Sequence, residues 1–283
     1  MKRSFRSLTM SAYNRVVRHA MFSLFFCFAL CPGVARAGDE DLPTTLPSVY
    51  VNHLGLLKLG WQLAVTQATF EGQSPYVTCL TLHKMGVHHL ELSAARVDPQ
   101  DFVLQSLLVN LLMEDHLDAV SYAGANFGSG EREARDVFDV AQQLKIKTIL
   151  VNAGNDDLDT LDALANQYQV RLAVDAANPD AALALLSGRS PRAGFIGDLD
   201  EWRAAGIPAV DAVKKLRGHL LEIRPGEAED AEAVAVLRQL KADGFRGIIA
   251  VGVAARPQSD KLVRLARRIN ALSKIVGDLS GVQ

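Results

Sequence analysis

The sequence predicts one closed α/β barrel, a (β/α)8 TIM barrel, and three observations carry that prediction. Eight short apolar runs alternate with longer segments of helical periodicity. The alternating region has about the length that one such barrel requires, ~250 residues. No Gly-x-Gly-x-x-Gly follows the first apolar run, which disfavours an open sheet built to bind a dinucleotide, so no nucleotide cofactor is expected.

The predicted strands are Gln62–Thr66, His88–Leu92, Asp118–Tyr122, Thr148–Asn152, Arg171–Asp175, Phe195–Asp198, Leu220–Arg224 and Gly247–Val251. They are apolar rather than strictly alternating, as expected of parallel strands whose outer face is covered by helices. Between them, Ala134, Val137, Phe138, Ala141 and Leu144 mark one buried helical face. Ala233, Val236, Leu237 and Leu240 mark another, and Leu262, Leu265, Ala266, Ile269 and Leu272 a third. Asp157 and Asp180 stand where helices start, as caps or first-turn acids. Gly86, Gly218 and Gly244 stand where helices hand over to strands.

The N-terminus reads differently. Lys2, Arg3, Arg6, Arg15 and Arg18 precede the apolar run Ala20–Leu30, which is shorter than the ~20 residues of a spanning helix. Ala35-Arg36-Ala37 places small residues at the positions a signal peptidase reads, so residues 1–37 are expected to be a signal peptide cut before Gly38. The expected destination is outside the cytoplasm, in the periplasm, with no membrane attachment after cleavage. Residues 38–57, with Pro43 and Pro47, read as a connecting arm, and 58–283 as the barrel domain. Cleavage would remove six of the 30 Lys and Arg and none of the 32 Asp and Glu, leaving 24 against 32. That acidic balance argues against nucleic acid and anionic membranes as partners. Cys79 would be the one cysteine left, so neither an internal disulfide nor a thiolate metal cluster is expected. It sits in an apolar segment and reads as a small buried hydrophobe.

Several stretches resemble a known family in order along the chain. Gly60–Val65 (GWQLAV), Met85–Leu92 (MGVHHLEL), Leu117–Gly124 (LDAVSYAG), Val137–Leu150 and Gly194–Leu216 are similar to segments of the sugar phosphate isomerase/epimerase family, the xylose isomerase-like TIM barrels. The resemblance runs from about Gly60 to Leu279. It implies a divalent metal (Mn, Mg, Zn or Co) held by Glu, Asp, His and Glu at strand ends. Such a metal polarises a sugar carbonyl while carboxylates move a proton between neighbouring carbons.

Carried over position by position, the resemblance puts metal ligands at Asp175 and Asp198. The motif histidine of the sixth strand falls on Glu201, followed by the expected Trp202; the seventh-strand histidine falls on Arg224 and the eighth-strand glutamate on Gly252. Glu91, Asp175 and Asp198 are the candidate catalytic residues. Asn152, Glu201, Trp202 and Arg224 are candidates for contacting substrate, Trp202 by stacking on a sugar ring or else as core. Arg224 is expected to pair with Asp198 or Asp175, or to recognise an anionic group. His83, His88 and His89 are close in sequence, but His83 lies on a helix and His88 at the start of a strand, the stability end of a barrel. The Gly124–Gly130 loop (GANFGSG) reads as a turn rather than a phosphate cradle. The expected ligand is therefore a small-molecule sugar or anion. Two classes of function remain open: a sugar isomerase or epimerase with a rebuilt site, and an inactive barrel that binds a carbohydrate or serves as a scaffold.

Overall fold

The computed structural model describes residues 46–124, 127, 131–151, 157–175, 177–227, 230–253 and 258–282. These belong to one compact unit, Pro43–Gln283; Met1–Leu42 form a separate unit that lies outside the described residues, as does the expected signal peptide.

Eight parallel strands close into a barrel in sequence order, with the eighth paired back on the first. They are β1 Gln62–Thr66, β2 His89–Ser93, β3 Asp118–Ala123 and β4 Thr148–Val151, then β5 Arg171–Asp175, β6 Ala193–Asp198, β7 Leu220–Arg224 and β8 Ile248–Val251. The first half carries helices α1 His53–Leu59, α2 Pro75–Lys84, α3 Phe102–Glu114 and α4 Glu131–Gln143. The second half carries α5 Leu158–Tyr168, α6 Pro179–Leu186, α7 Leu199–Ala204, α8 Ala209–Lys215, α9 Ala231–Ala242 and α10 Gln258–Ser280. Each strand is thus followed by a helix that packs back on the sheet, the arrangement the apolar alternation predicts.

Local chemistry sets the helix ends. Ser74 caps α2 ahead of Pro75, Asp157 caps α5 by accepting from Asp159 N and Thr160 N, and Asn178 caps α6. Gly86 and Gly244 adopt φ of 69° after α2 and α9, the left-handed step that releases each helix into its strand. Helix α1 lies at the end of the segment read as a connecting arm, so that segment is ordered structure in its last residues. Asn52 caps it, donates from Nδ2 to Val282 O at 3.0 Å, and fixes α1 against α10.

Strand parity sorts the side chains. Leu90, Leu92, Ile149, Leu172 and Phe195 face the helices and join the main core. Two smaller apolar clusters, Ala64–Val120–Ile248–Ala250 and Leu150–Ala173–Ile196, come from the other parity and fill the barrel. They divide it into two polar ends. Above them stand the last residues of the strands; below them stand the first, among them Gln62, Asp118 and Arg171.

Candidate functional site

At the C-terminal rim, β6 and β7 pair in register so that Asp198 lies beside Arg224. Asp198 is both the last residue of β6 and the cap of α7, its Oδ1 accepting from Asp200 N at 2.9 Å and Glu201 N at 3.3 Å. That cap turns the chain sharply and brings the Glu201 side chain into a hydrogen bond with Asp175 at the end of β5. The charges of Asp175 and Asp198 therefore both act on Glu201. Burial raises the Asp198 pKa, against the pull of the Glu201 N–H and of Arg224. Burial also raises that of Glu201, helped by the negative charges of Asp175 and Asp198. Raised carboxyl pKa values at a cleft are what general acid–base work requires.

A second group sits across the mouth. Arg224 Nε donates to Glu222 Oε1 at 3.1 Å, and Nη2 donates to both Glu91 oxygens at 3.1 and 3.3 Å. Glu222 is wholly buried and Glu91 is 5% exposed; Glu222 Oε2 has no hydrogen-bond partner among the described residues. Burial, with the Glu91 charge beside it, pushes the Glu222 pKa well above the ordinary carboxylate value, and Arg224 only partly opposes this. Burial thus favours the neutral form of Glu222, while Arg224 and Glu91 stay ion-paired at 3.1 Å. Burial works against the charge of Arg224, but Glu91, Glu222 and Asp198 outweigh it and keep the guanidinium fully protonated.

The third side of the mouth is β8 and α10. A Cβ at Gly252 would come within 2.4 Å of Thr66 Oγ1, itself 3.3 Å from Thr69 Oγ1. Arg268 donates to Gly252 O, and Glu227 accepts from Arg268 and, at 3.2 Å, from Arg264. Those arginines lower the Glu227 pKa to about 2. Together these walls enclose a cavity of ≈ 330 Å³, lined by Thr66, Glu91, Asp198, Asp200, Arg224, Gly252, Arg264 and Arg268. Among the described residues, no three His, Cys, Asp or Glu side chains converge as a metal-binding set.

The structure thus brings Glu91, Asp175, Asp198, Glu201 and Arg224 to one mouth. Two expectations need correction. Trp202 is completely buried, its ring against Gly197 in a space that a Cβ would fill at 2.5 Å, so it builds the wall and offers no stacking face. Arg224 forms its ion pairs with Glu91 and Glu222, not with Asp198 or Asp175, because its side chain runs inward across the mouth. Asn152 lies outside the described residues, as does most of the Gly124–Gly130 loop. His83 turns away to the Asp115 carbonyl at 2.9 Å, while His88 packs on His53 with ring centroids 4.8 Å apart. Cys79 is buried, and its pKa is pushed up to about 12 by that burial. Sequence reading did not assign Glu222, Glu227, Arg264 or Arg268 to the site; the Arg264–Arg268 spacing of one helical turn was the available signal.

No family model matches the chain, and no curated protein matches it. Solved structures do. An uncharacterised protein from Parabacteroides distasonis superposes with a TM-score of 0.63 at 19% identity, covering 76% of this chain and 99% of its own. A sugar phosphate isomerase/epimerase from the same organism gives 0.62 at 9% identity, covering 76% and 94%. A xylose isomerase domain protein from Planctomyces limnophilus gives 0.61 at 13% identity, covering 78% and 98%. The chain shares with these structures the (β/α)8 TIM-barrel fold.

Proposed function

We propose that the mouth of this barrel binds a sugar or a sugar-derived acid, and does so without a divalent metal ion. The observation that carries this reading is the Glu91–Arg224–Glu222 triad in the position where the resemblance expects a histidine ligand. A guanidinium fixed by two acids repels a cation from the same mouth. The eighth-strand position supports the same conclusion, since Gly252 brings no donor and Thr66 fills the space a side chain would need. Asp175 and Asp198 alone would be two hard ligands, one of them with a raised proton affinity, too few to hold such an ion.

What remains suits a polyhydroxylated ligand. Asp175, Asp198 and Glu201 accept hydrogen bonds from hydroxyl groups, and Arg224 offers its free donors to a carbonyl or carboxylate oxygen. Burial and the charges of Asp175 and Asp198 raise the Glu201 pKa, which suits Glu201 to give a proton to a bound hydroxyl or carbonyl oxygen. The names of the fold neighbours, a sugar phosphate isomerase/epimerase among them, agree with a sugar-directed role. An exported location, proposed from residues 1–37, favours free sugars and oligosaccharide fragments over phosphorylated ones.

Binding without turnover is the second reading, favoured by the way Arg224 is tied to two glutamates and Glu222 is sealed from solvent. Both are tested by thermal-shift and calorimetric titration of EDTA-treated protein with neutral pentoses and hexoses, aldonates and uronates, followed by NMR of any ligand found. Saturable binding that Asp198→Ala removes supports the proposal; interconversion of the ligand supports an enzyme. Failure of every sugar and sugar acid to bind would defeat both.

A further inference from the structure

A cavity of ≈ 410 Å³ lies away from the mouth. It opens at the opposite end of the barrel, where Asp118 and Arg171 are the first residues of β3 and β5. Its walls are apolar, from Leu112, Met113 and Leu117, and its polar groups are mostly cationic.

Arg171 is the unusual member. It is half-buried, and among the described residues its guanidinium forms one hydrogen bond, from Nη2 to Thr148 Oγ1 at 3.1 Å, and no ion pair. Burial alone lowers its pKa, with no carboxylate raising it in return. The remaining arginines that line the other cavity all have carboxylate partners. A desolvated guanidinium with most of its five donors unused destabilises the fold unless an anion completes it. Lys145 and Lys147 line the same cavity, so three cations face one acid, Asp118. Asp118 belongs to the strand-end pairing with β2 and lies beyond ion-pair reach of Arg171.

We infer that the N-terminal end of the barrel carries a second binding site, which takes a small organic carboxylate with an apolar body. The carboxylate pairs with Arg171 in the planar two-point contact that a guanidinium favours, and Lys147 adds to the attraction. The apolar body lies against Leu112, Met113 and Leu117, which excludes a sugar as the preferred ligand and separates this site chemically from the mouth. Asp118 disfavours a dianion such as phosphate. The two sites stand on opposite ends of β5, roughly 13 Å apart along the strand, with Ala173 and its neighbours packed between them.

Calorimetric titration of the full chain with phenylacetate, benzoate and inorganic phosphate tests the inference. Phenylacetate or benzoate should bind at one equivalent, weaken as ionic strength rises, and lose at least tenfold in affinity in Arg171→Gln. Asp198→Ala should leave that binding unchanged. Lys147→Glu, at an exposed position, reads the same site if Arg171→Gln does not fold, and should also weaken binding severalfold. Absence of saturable binding, tighter binding of phosphate than of either carboxylate, or indifference to both substitutions would overturn it.

Discussion

Replacing Arg224 by Met removes the cation that holds Glu91 and Glu222 together, and the structure fixes how large the effect should be. Three hydrogen bonds to two buried carboxyl groups disappear. Removing one partner of a buried ion pair typically costs ~3–5 kcal/mol. Burial already favours the neutral form of Glu222, so the expected loss is at the lower end, about 3 kcal/mol at pH 8. In a domain of this size that is a drop in Tm of roughly 6–12 °C. The cost must depend on pH. A carboxyl group whose folded pKa is raised is stabilising below its unfolded pKa and loses that contribution as pH rises towards the folded value. Arg224 opposes the rise in the Glu222 pKa, so its loss lifts that pKa further and the penalty should shrink as pH falls towards the ordinary carboxylate range. Urea unfolding of wild type and Arg224→Met at pH 8 and pH 5, followed by circular dichroism, reads both values. A loss below ~1 kcal/mol at pH 8, or an equal loss at both pH values, would refute the buried-triad reasoning.

Further expectations follow from neighbouring residues. Gly252→Glu, which would restore the acid of the eighth strand, should destabilise by about 1–3 kcal/mol because the new Cβ meets Thr66 Oγ1; Thr66→Gly in the same chain should recover much of the loss, measured by chemical unfolding. Trp202→Phe should lower stability by roughly 1–3 kcal/mol yet leave ligand affinity unchanged in calorimetry, since the ring is walled in behind Gly197. Cys79 should resist iodoacetamide at pH 8 in the native protein and react once urea exposes it, as mass spectrometry of the 38–283 chain can show. Glu227 should act with the opposite sign to Glu222. Its pKa is lowered, so its contribution is present at neutral pH and lost as pH falls from ~4.3 to about 2; Glu227→Gln should therefore flatten the acid limb of the stability curve.

The fold was legible because its signals are local. Apolar runs, caps and helix-ending glycines lie within a few residues of one another, and the strands were placed to within about two residues; β6 starts at Ala193 rather than Phe195. The rim acids Asp175, Asp198 and Glu91 were legible for a related reason, since each ends or follows an apolar run. What the sequence could not convey is which side chains meet across the barrel. Glu91 and Arg224 are 133 residues apart, and no periodicity links β2 to β7. Parity along β7 puts Glu222 and Arg224 on one face, yet it could not say that Glu91 of β2 completes the group. Trp202 was open between stacking on a sugar and core, and its burial favours core. Its position just after a cap suits either face of α7, and the missing Cβ at Gly197 decides for the interior.

The most direct measurement of the central claim is the metal content of protein purified without chelator, joined to its melting temperature with Mn²⁺, Mg²⁺, Zn²⁺ or Co²⁺ before and after EDTA. The account predicts no stoichiometric ion, a melting temperature indifferent to all four, and sugar or sugar-acid binding that survives EDTA. One tightly held ion per chain, lost together with ligand binding in Asp198→Ala, would contradict it.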